Sequence, residues 1–188
     1  MLLLVKFQMK KRKQNKTIGM LLTQQKFYLV SQYLKPLASV IKDGFAQYVR
    51  REKGKHLSAR NLAMAHAIKY AVKGDYPEQY IDPAFILLSD GSVQGISVKD
   101  VTLENDALWL HFDGGEITPL NHDDELLLVA YDPIAGVAIR NEAVVTRSSS
   151  GLRLELPDYM QNVRLDVFVL VRDRNRNRYS RSQYVGRV

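Results

Sequence analysis

The sequence predicts an α+β protein, in which an N-terminal helical hairpin precedes an antiparallel β-sandwich. Apolar residues recur at helical spacing in the first part of the chain, and later they alternate along short segments separated by turns. A hydrophobic share of 46% in 188 residues is enough to form a buried core. The predicted units are a basic arm over residues 1–22, the hairpin over 23–74, a connecting segment with a short strand over 75–97 and the sandwich over 98–188.

The predicted hairpin consists of two capped helices. Thr23 is a candidate N-cap for the first helix, whose apolar seam we expect to break at Pro36 because proline lacks an amide donor. Ser58 is a candidate N-cap for the second helix, and Gly74 is a candidate C-cap. The first helix carries the seam Phe27, Val30, Leu34, Leu37, Ile41, Phe45 and Tyr48, and the second carries the alanine stripe Ala59, Ala63, Ala67 and Ala71.

Seven or eight short strands follow the helices, a density that is typical of a sandwich. Before them, Phe85–Leu88 predicts a short strand or a buried extended run, closed by a turn at Asp90-Gly91. Asn105-Asp106 predicts a hairpin turn. Residues 163–171 are apolar on much of both faces, which is typical of a central strand, and the arginine-rich final strand suits an edge.

The composition excludes several classes of site. Cysteine is absent, which removes disulfide frameworks, thiolate zinc sites, iron–sulfur clusters and cysteine nucleophiles. The opening stretch MLLLVKF is too short for a membrane span, and its charges follow the apolar run instead of preceding it as in a signal peptide. We therefore expect a soluble, cytoplasmic protein that requires no cofactor.

The net charge of +7 is unevenly distributed. Residues 1–60 carry 14 Lys and Arg against two acids, residues 61–171 carry seven against 17, and residues 172–188 carry six against one. A basic arm of this kind predicts phosphate contacts whose affinity falls steeply with salt. The candidate nucleic-acid contacts are Lys10, Lys11, Arg12, Lys13, Lys16, Arg50, Arg51, Lys53 and Lys55, with a second cluster at Arg172, Arg174, Arg176 and Arg178.

The segment Asn121–Glu125, NHDDE, is the strongest candidate for metal chemistry, since it gathers one imidazole and three carboxylates. Consecutive residues entering a strand point in alternate directions, so a solvated turn is the favoured interpretation. Ser148–Ser150 lacks the spacing of a nucleophile elbow, and Asp113–Gly115 lacks the helix that a phosphate loop requires. We therefore predict no catalytic residues, no metal ligands and no enzymatic activity.

Trp109 and His111 share one face of a predicted strand. This pair is a candidate interaction face, on which a ligand or a partner would stack. The alternative, which we favour at this point, is that the aromatic face packs against the helical hairpin or against Phe85, because the helices need an apolar surface to lie on.

Two stretches resemble an uncharacterised family of bacterial proteins of similar length. Residues 14–45, QNKTIGMLLTQQKFYLVSQYLKPLASVIKDGF, resemble its NPKT-like lead into a LVSxFLxPLxxxIxxGF helix. Residues 61–93, NLAMAHAIKYAVKGDYPEQYIDPAFILLSDGSV, are similar to its NAVxxNAIxGxYPxxxIDYSKVLLSxGSL block. The resemblance implies a helical N-terminal part and a fibronectin type III-like or immunoglobulin-like β-sandwich, and it supplies no catalytic residues.

Three functional hypotheses follow from the sequence. The first is a non-enzymatic structural or interaction module, whose partner is another protein or a second copy of the chain. The second is an electrostatic nucleic-acid-binding protein that uses the basic arm. The third is a weak ligand- or carbohydrate-binding module on the Trp109 face.

Overall fold

A computed structural model of the chain describes residues 17–51 and 58–188. Within these residues, helices and antiparallel sheets occur together, and the predicted α+β class is confirmed. None of the described helices is both long and apolar enough to cross a lipid bilayer. The helices are α1 (Ile18–Leu34), α2 (Ala38–Gly44), α3 (Ala46–Arg51) and α4 (Ala59–Tyr70), and two 3-10 turns span Pro83–Phe85 and Asp158–Met160.

Eight strands form the sandwich, in agreement with the seven or eight predicted, and two strands of two residues each precede them. They are β1 (Val72–Lys73), β2 (Tyr80–Ile81), β3 (Ser97–Glu104), β4 (Ala107–Asp113), β5 (Glu125–Asp132), β6 (Val137–Arg140), β7 (Val145–Thr146), β8 (Gly151–Glu155), β9 (Asp166–Arg172) and β10 (Gln183–Arg187). The larger sheet has the order β10-β9-β5-β6, with β7 also paired to β5. The smaller sheet has the order β3-β4-β8, and β1 and β2 form a separate hairpin.

Two apolar cores lie on opposite faces of the larger sheet. One face of β5, with Leu127, Val129 and Tyr131, packs against the helices. The other face of β5, with Leu126 and Leu128, packs against the smaller sheet. The predicted central position of β9 and the edge position of β10 are both confirmed by the strand order. The chain therefore forms three layers, in which the helices and the smaller sheet cover the two faces of the larger sheet.

Two of the predicted helix boundaries are confirmed. Helix α1 ends at Leu34, before Pro36, and helix α2 resumes the apolar seam at Ala38. Helix α4 begins after Ser58, whose hydroxyl oxygen accepts a hydrogen bond from the backbone nitrogen of Asn61 at 3.1 Å. Both boundaries follow from local chemistry, namely a missing amide donor and a side-chain cap.

The predicted N-cap of the first helix is wrong. Helix α1 begins at Ile18, and the hydroxyl of Thr17 accepts a hydrogen bond from the backbone nitrogen of Met20 at 3.3 Å. Thr23 lies inside the helix, where its hydroxyl donates to the carbonyl oxygen of Gly19 at 2.9 Å. Two threonines are therefore compatible with capping, and the apolar period does not distinguish between them.

Gly74 is not the C-cap of the second helix. Helix α4 ends at Tyr70, and Gly74 adopts a φ of +78° in the turn between β1 and β2. The left-handed conformation that suggested a helix cap is thus used by a hairpin instead. The sequence signals did not distinguish these two uses because β1 and β2 have only two residues each.

The connecting segment contains β2, but the stretch Phe85–Leu88 does not form a strand. Ile86–Leu88 is buried against the helices, which agrees with the second of the two predicted alternatives, whereas Phe85 is partly exposed. The turn predicted at Asp90-Gly91 is absent. Gly91 is required for close approach, since a Cβ atom there would lie 2.0 Å from Nε2 of Gln47 and 2.1 Å from the carbonyl oxygen of Tyr179.

A buried carboxylate joins α1 to the larger sheet. Asp166, the first residue of β9, is fully buried. Its oxygens accept hydrogen bonds from the hydroxyl of Tyr33 at 2.8 Å and from the hydroxyl of Tyr184 at 3.2 Å. The guanidinium of Arg187 donates to them at 2.8 and 3.0 Å. Helix α1 and strands β9 and β10 are therefore held together by one charged, hydrogen-bonded group.

The substitution Tyr33→Phe tests this connection. It removes one donor to a buried charge, and we expect the free energy of unfolding to fall by about 1–3 kcal/mol. Tyr28→Phe is the matched control, since Tyr28 lies on the same helix and is 63% exposed. Urea denaturation measures both variants. Equal stabilities of the two variants would contradict a contribution of the Tyr33 hydrogen bond.

The tyrosines near Asp166, namely Tyr33, Tyr131 and Tyr184, predict a loss of stability at alkaline pH. Burial, assisted by the negative charge of Asp166, raises the pKa of Tyr131 and of Tyr184 to about 12, and it also raises the pKa of Tyr33. In the unfolded chain these groups ionise near pH 10. The unfolded state therefore loses protons first, and the stability that is present below about pH 10 falls as the pH rises toward 12.

Denaturation at a series of pH values from about 9 to 11 measures this dependence. For Tyr33→Phe we expect a shallower slope than for the wild type, by up to about 1.4 kcal/mol per pH unit, because one fewer tyrosine titrates. Identical slopes for the wild type and Tyr33→Phe would show that Tyr33 has the same pKa in the folded and in the unfolded chain.

Candidate interaction surface

The residues predicted to contact nucleic acid lie almost entirely outside the described part of the chain. Helix α3 includes the backbone of Arg50 and Arg51, but their side chains are likewise outside the description. The nucleic-acid prediction for this arm is therefore not tested by the structure. The other residues outside the description are Lys10, Lys11, Arg12, Lys13, Lys16, Lys53 and Lys55.

The second predicted basic cluster, which follows β9, is paired with carboxylates. Glu125, the first residue of β5, is buried and accepts hydrogen bonds from two of these arginines. Much of the positive charge that the sequence places here is thus neutralised within the chain. The pairs are Arg172 with Glu125 at 2.6 Å, Arg176 with Glu125 at 3.0 Å, Arg174 with Asp123 at 3.3 Å and Arg178 with Asp173 at 3.2 Å.

The segment Asn121–Glu125 is neither a solvated turn throughout nor a gathered metal site. Its carboxylates diverge: Asp123 lies beside Arg174, whereas Asp124 is buried and faces Arg147. In residues 17–51 and 58–188, no group of three or more His, Asp and Glu side chains is placed to hold a metal ion. The favoured interpretation as a solvated turn was therefore wrong for Asp124 and Glu125, because both carboxylates are buried and form ion pairs with arginines that are distant in the sequence.

Arg147, which the sequence analysis did not single out, is fully buried at one end of the sandwich. Its guanidinium donates hydrogen bonds to the carbonyl oxygens of Gly95 at 3.0 Å and Gly114 at 2.7 Å, and also to that of Gln94. It lies 3.5 Å from a carboxylate oxygen of Asp124. Burial raises the pKa of Asp124, while the positive charge of Arg147 acts to lower it. Arg147 thus joins the segments that lead into β3 and β5 and that follow β4 and β7.

The pair Trp109 and His111 lies on the outer face of the smaller sheet. The expectation that this face packs against the hairpin or Phe85 was wrong, because the helices cover the larger sheet instead. The Trp109 ring is partly exposed, and the guanidinium carbon of Arg153 lies 5.5 Å from its centroid. The exposed imidazole of His111 lies 2.6 Å from a carboxylate oxygen of Asp100. The predicted interaction face is therefore accessible.

Strand β8 forms an open edge beside this face. It pairs with β4 on one side, and no strand in the described part of the chain pairs with its other side. A cleft of about 540 Å³ runs along this edge, between Arg153–Glu155 and the segment from Ile139 to Ala143 of the larger sheet. The smaller sheet thus presents an accessible face and an unpaired edge that adjoin at Arg153.

A second cleft of about 460 Å³ lies between α4 and the segment that leads into β10. His66 lines it, and Nδ1 of this residue is buried without a hydrogen-bond partner in the described part of the chain. Burial lowers the pKa of His66, to which Arg181 adds, while Asp90 acts in the opposite direction. Charges of both signs surround this cleft, so its electrostatics do not select a charged ligand.

The substitution Arg147→Met tests the buried arginine. It leaves three carbonyl oxygens and the Asp124 carboxylate without their donor, and we expect the free energy of unfolding to fall by about 3–5 kcal/mol. Arg164→Met is the control, since Arg164 is exposed and a surface change of this kind costs less than about 0.5 kcal/mol. Thermal and urea denaturation measure both variants, and equal effects would contradict the structural role of Arg147.

Comparison with known proteins gives a family but no activity. No curated protein matches the chain. A model of a family of unknown function, DUF6266, matches residues 4–186 and therefore covers nearly the whole chain. The predicted resemblance to an uncharacterised family of similar length is confirmed, and the chain belongs to the DUF6266 family, a family of unknown function.

Proposed function

We propose that this protein is a non-enzymatic assembly module, which binds a protein chain through its smaller sheet. One observation carries the proposal: the helices cover the outer face of the larger sheet, whereas no segment among the described residues covers the outer face of the smaller sheet or pairs with its β8 edge. An unpaired edge offers backbone donors and acceptors to an added strand, which is a recurring mode of protein recognition. Trp109 beside this edge adds the kind of aromatic anchor that is enriched in interfaces.

A fibronectin type III-like or immunoglobulin-like classification of the sandwich belongs to the same proposal. Its support is the strand order, in which β3, β4 and β8 face a sheet of β6, β5, β9 and β10. Two antiparallel sheets with such a distribution of strands are typical of immunoglobulin-type sandwiches. Because such sandwiches host many functions, the classification supports an interaction role only by analogy.

The use of the charged residues also supports a non-enzymatic role. Asp124 and Glu125 are the strongest candidates for acid–base or metal chemistry, but both form ion pairs with buried or half-buried arginines. A general acid or base must instead be within reach of a substrate. These groups contribute to the fold by fixing the ends of β5 and β9.

The two other hypotheses have less support. Nucleic-acid binding depends on residues outside the described part of the chain and stays a prediction, while the arginines after β9 are neutralised by acids. Carbohydrate binding on Trp109 would require displacement of the Arg153 guanidinium from the ring.

The assembly proposal predicts that the full-length protein forms complexes that depend on the smaller sheet. We expect the tagged wild type and the control Tyr28→Ala to elute from cells of the source organism in a complex larger than the monomer. Trp109→Thr should weaken the complex at least about tenfold, since a buried aromatic anchor contributes about 1.4 kcal/mol or more. Reconstitution from purified components, followed by light scattering, measures the difference.

A wild type that is monomeric at its cellular concentration and binds no purified candidate partner would contradict the proposal. An identical complex in the wild type and in both variants would place the interface elsewhere and would contradict the assignment to the smaller sheet.

A further inference from the structure

We propose that the partner at this edge is a second copy of the chain, paired antiparallel through β8 with Leu154 of both copies at the two-fold axis. This inference rests on the proposed assembly function and names its partner. The observation that carries it is the juxtaposition of Arg153 and Glu155 on an unpaired edge strand, in a register that makes β8 complementary to itself.

The hydrogen bonds to β4 determine which backbone groups of β8 are free. The backbone nitrogen of Leu156 donates to the carbonyl oxygen of Asp106 at 2.9 Å, and that of Phe112 donates to the carbonyl oxygen of Ser150 at 3.2 Å. In an antiparallel ladder, successive residues direct their backbone groups to opposite sides. The even-numbered residues of β8 therefore direct their N–H and C=O groups to β4. Those of Gly151, Arg153 and Glu155 point to the open edge.

Symmetry restricts how two such edges pair. In a two-fold dimer, if one residue opposes a second, the second opposes the first in the other copy. Residues with outward backbone groups must oppose each other, so Arg153 can oppose itself, Gly151 or Glu155, and Glu155 can also oppose itself. Self-opposition of Arg153 or of Glu155 juxtaposes like charges, and pairing of Arg153 with Gly151 forms no charge pair. Only the register that opposes Arg153 to Glu155 forms two opposite-charge pairs, so the charges select it.

The selected register is also favourable on the inner face of the strand. It places Leu154 opposite Leu154 and Leu152 opposite Leu156, and all three residue positions are buried and apolar in the single chain. Apolar cross-strand pairs of this kind stabilise a sheet. Two three-stranded sheets thereby become one continuous sheet of six strands.

The length of β8 makes the association reversible. Pro157 follows the strand and has no N–H group, so it ends the ladder of hydrogen bonds. Pairing thus ends at Leu156 and involves only the short stretch from Gly151 to Leu156. In the single chain, Arg153 and Glu155 already form an ion pair with each other. Dimerisation exchanges this pair for two pairs between the copies and leaves no charge unpaired.

Trp109 provides a signal for this exchange. It is the only tryptophan in the sequence and lies directly opposite Arg153 in the ladder of β4 and β8. Arg153 lies over its ring in the single chain. When the guanidinium turns toward Glu155 of the second copy, the environment of the indole changes. We therefore expect the Trp109 emission to depend on protein concentration with the same midpoint as the molecular mass.

Sedimentation of the full-length protein from about 1 μM to about 1 mM tests the dimer. We expect R153E to raise the dimer dissociation constant about tenfold or more, because both opposite-charge pairs become like-charge pairs. The charge-swapped variant R153E/E155R should restore the wild-type dissociation constant, since each copy again opposes positive with negative. R164E is the matched control, because Arg164 is exposed and lies off the edge, and it should leave dimerisation unchanged.

Disulfide cross-linking tests the register, since the sequence contains no cysteine of its own. R153C and E155C are prepared separately and then mixed under mild oxidation. The proposed register places these positions directly opposite each other only in the mixed dimer. We expect the mixture to form a cross-linked dimer in higher yield than either variant alone.

Each result separates this inference from the proposed function. A dimer that R153E does not weaken, or that cross-links best with R153C alone, overturns the β8 register while the assembly function stands. A wild type that stays monomeric to about 1 mM but binds a different protein through the smaller sheet overturns the second copy as partner. A chain that binds neither itself nor another protein overturns both.

Discussion

The structure depends on the burial of β5 and β9 on both faces of the larger sheet. Every residue of β5 and nearly every residue of β9 is buried, so two separate layers have to cover the sheet. The smaller sheet covers one face and the helices cover the other. Asp166 fixes the helical layer in place, because its charge is stabilised by donors from α1 and from β10, the neighbour of β9 in the sheet. This group is costly to bury unless all of its partners are present.

The unequal covering of the two sheets is what gives the molecule a candidate site. The larger sheet has no face left for a partner, whereas the smaller sheet has one face in a core and one face in solvent. Trp109, Arg153 and Glu155 meet where that exposed face reaches the β8 edge. The assembly function and the β8 dimer both follow from this arrangement, and neither requires chemistry from the buried carboxylates.

The sequence was sufficient for features that depend on local chemistry. The break before Pro36, the cap at Ser58, the turn at Asn105-Asp106 and the strands of the sandwich all appear in the structure. Alternation along β4 also grouped Trp109 with His111, but it did not reveal which sheet the helices cover. The helices cover the larger sheet because β5 and β9 carry apolar residues on both faces of that sheet.

The features that the sequence did not predict are contacts between residues far apart in the chain. Tyr33 and Asp166 are separated by 133 residues, and Arg147 takes its partners from three different segments. An isolated arginine or aspartate carries no local sign that it is buried. The interpretation of Asn121–Glu125 as a solvated turn failed for the same reason, since the arginines that pair with the buried Asp124 and Glu125 lie much later in the chain.

Amide hydrogen exchange along β8, followed by NMR at low and high protein concentration, tests the central claim most directly. The amides of Leu152 and Leu154 should be protected at both concentrations, because they donate hydrogen bonds to β4. The amides of Arg153 and Glu155 should exchange quickly in the dilute protein and become protected in the concentrated protein, with one shared midpoint. Rapid exchange of both amides at every concentration would contradict the use of this edge for assembly.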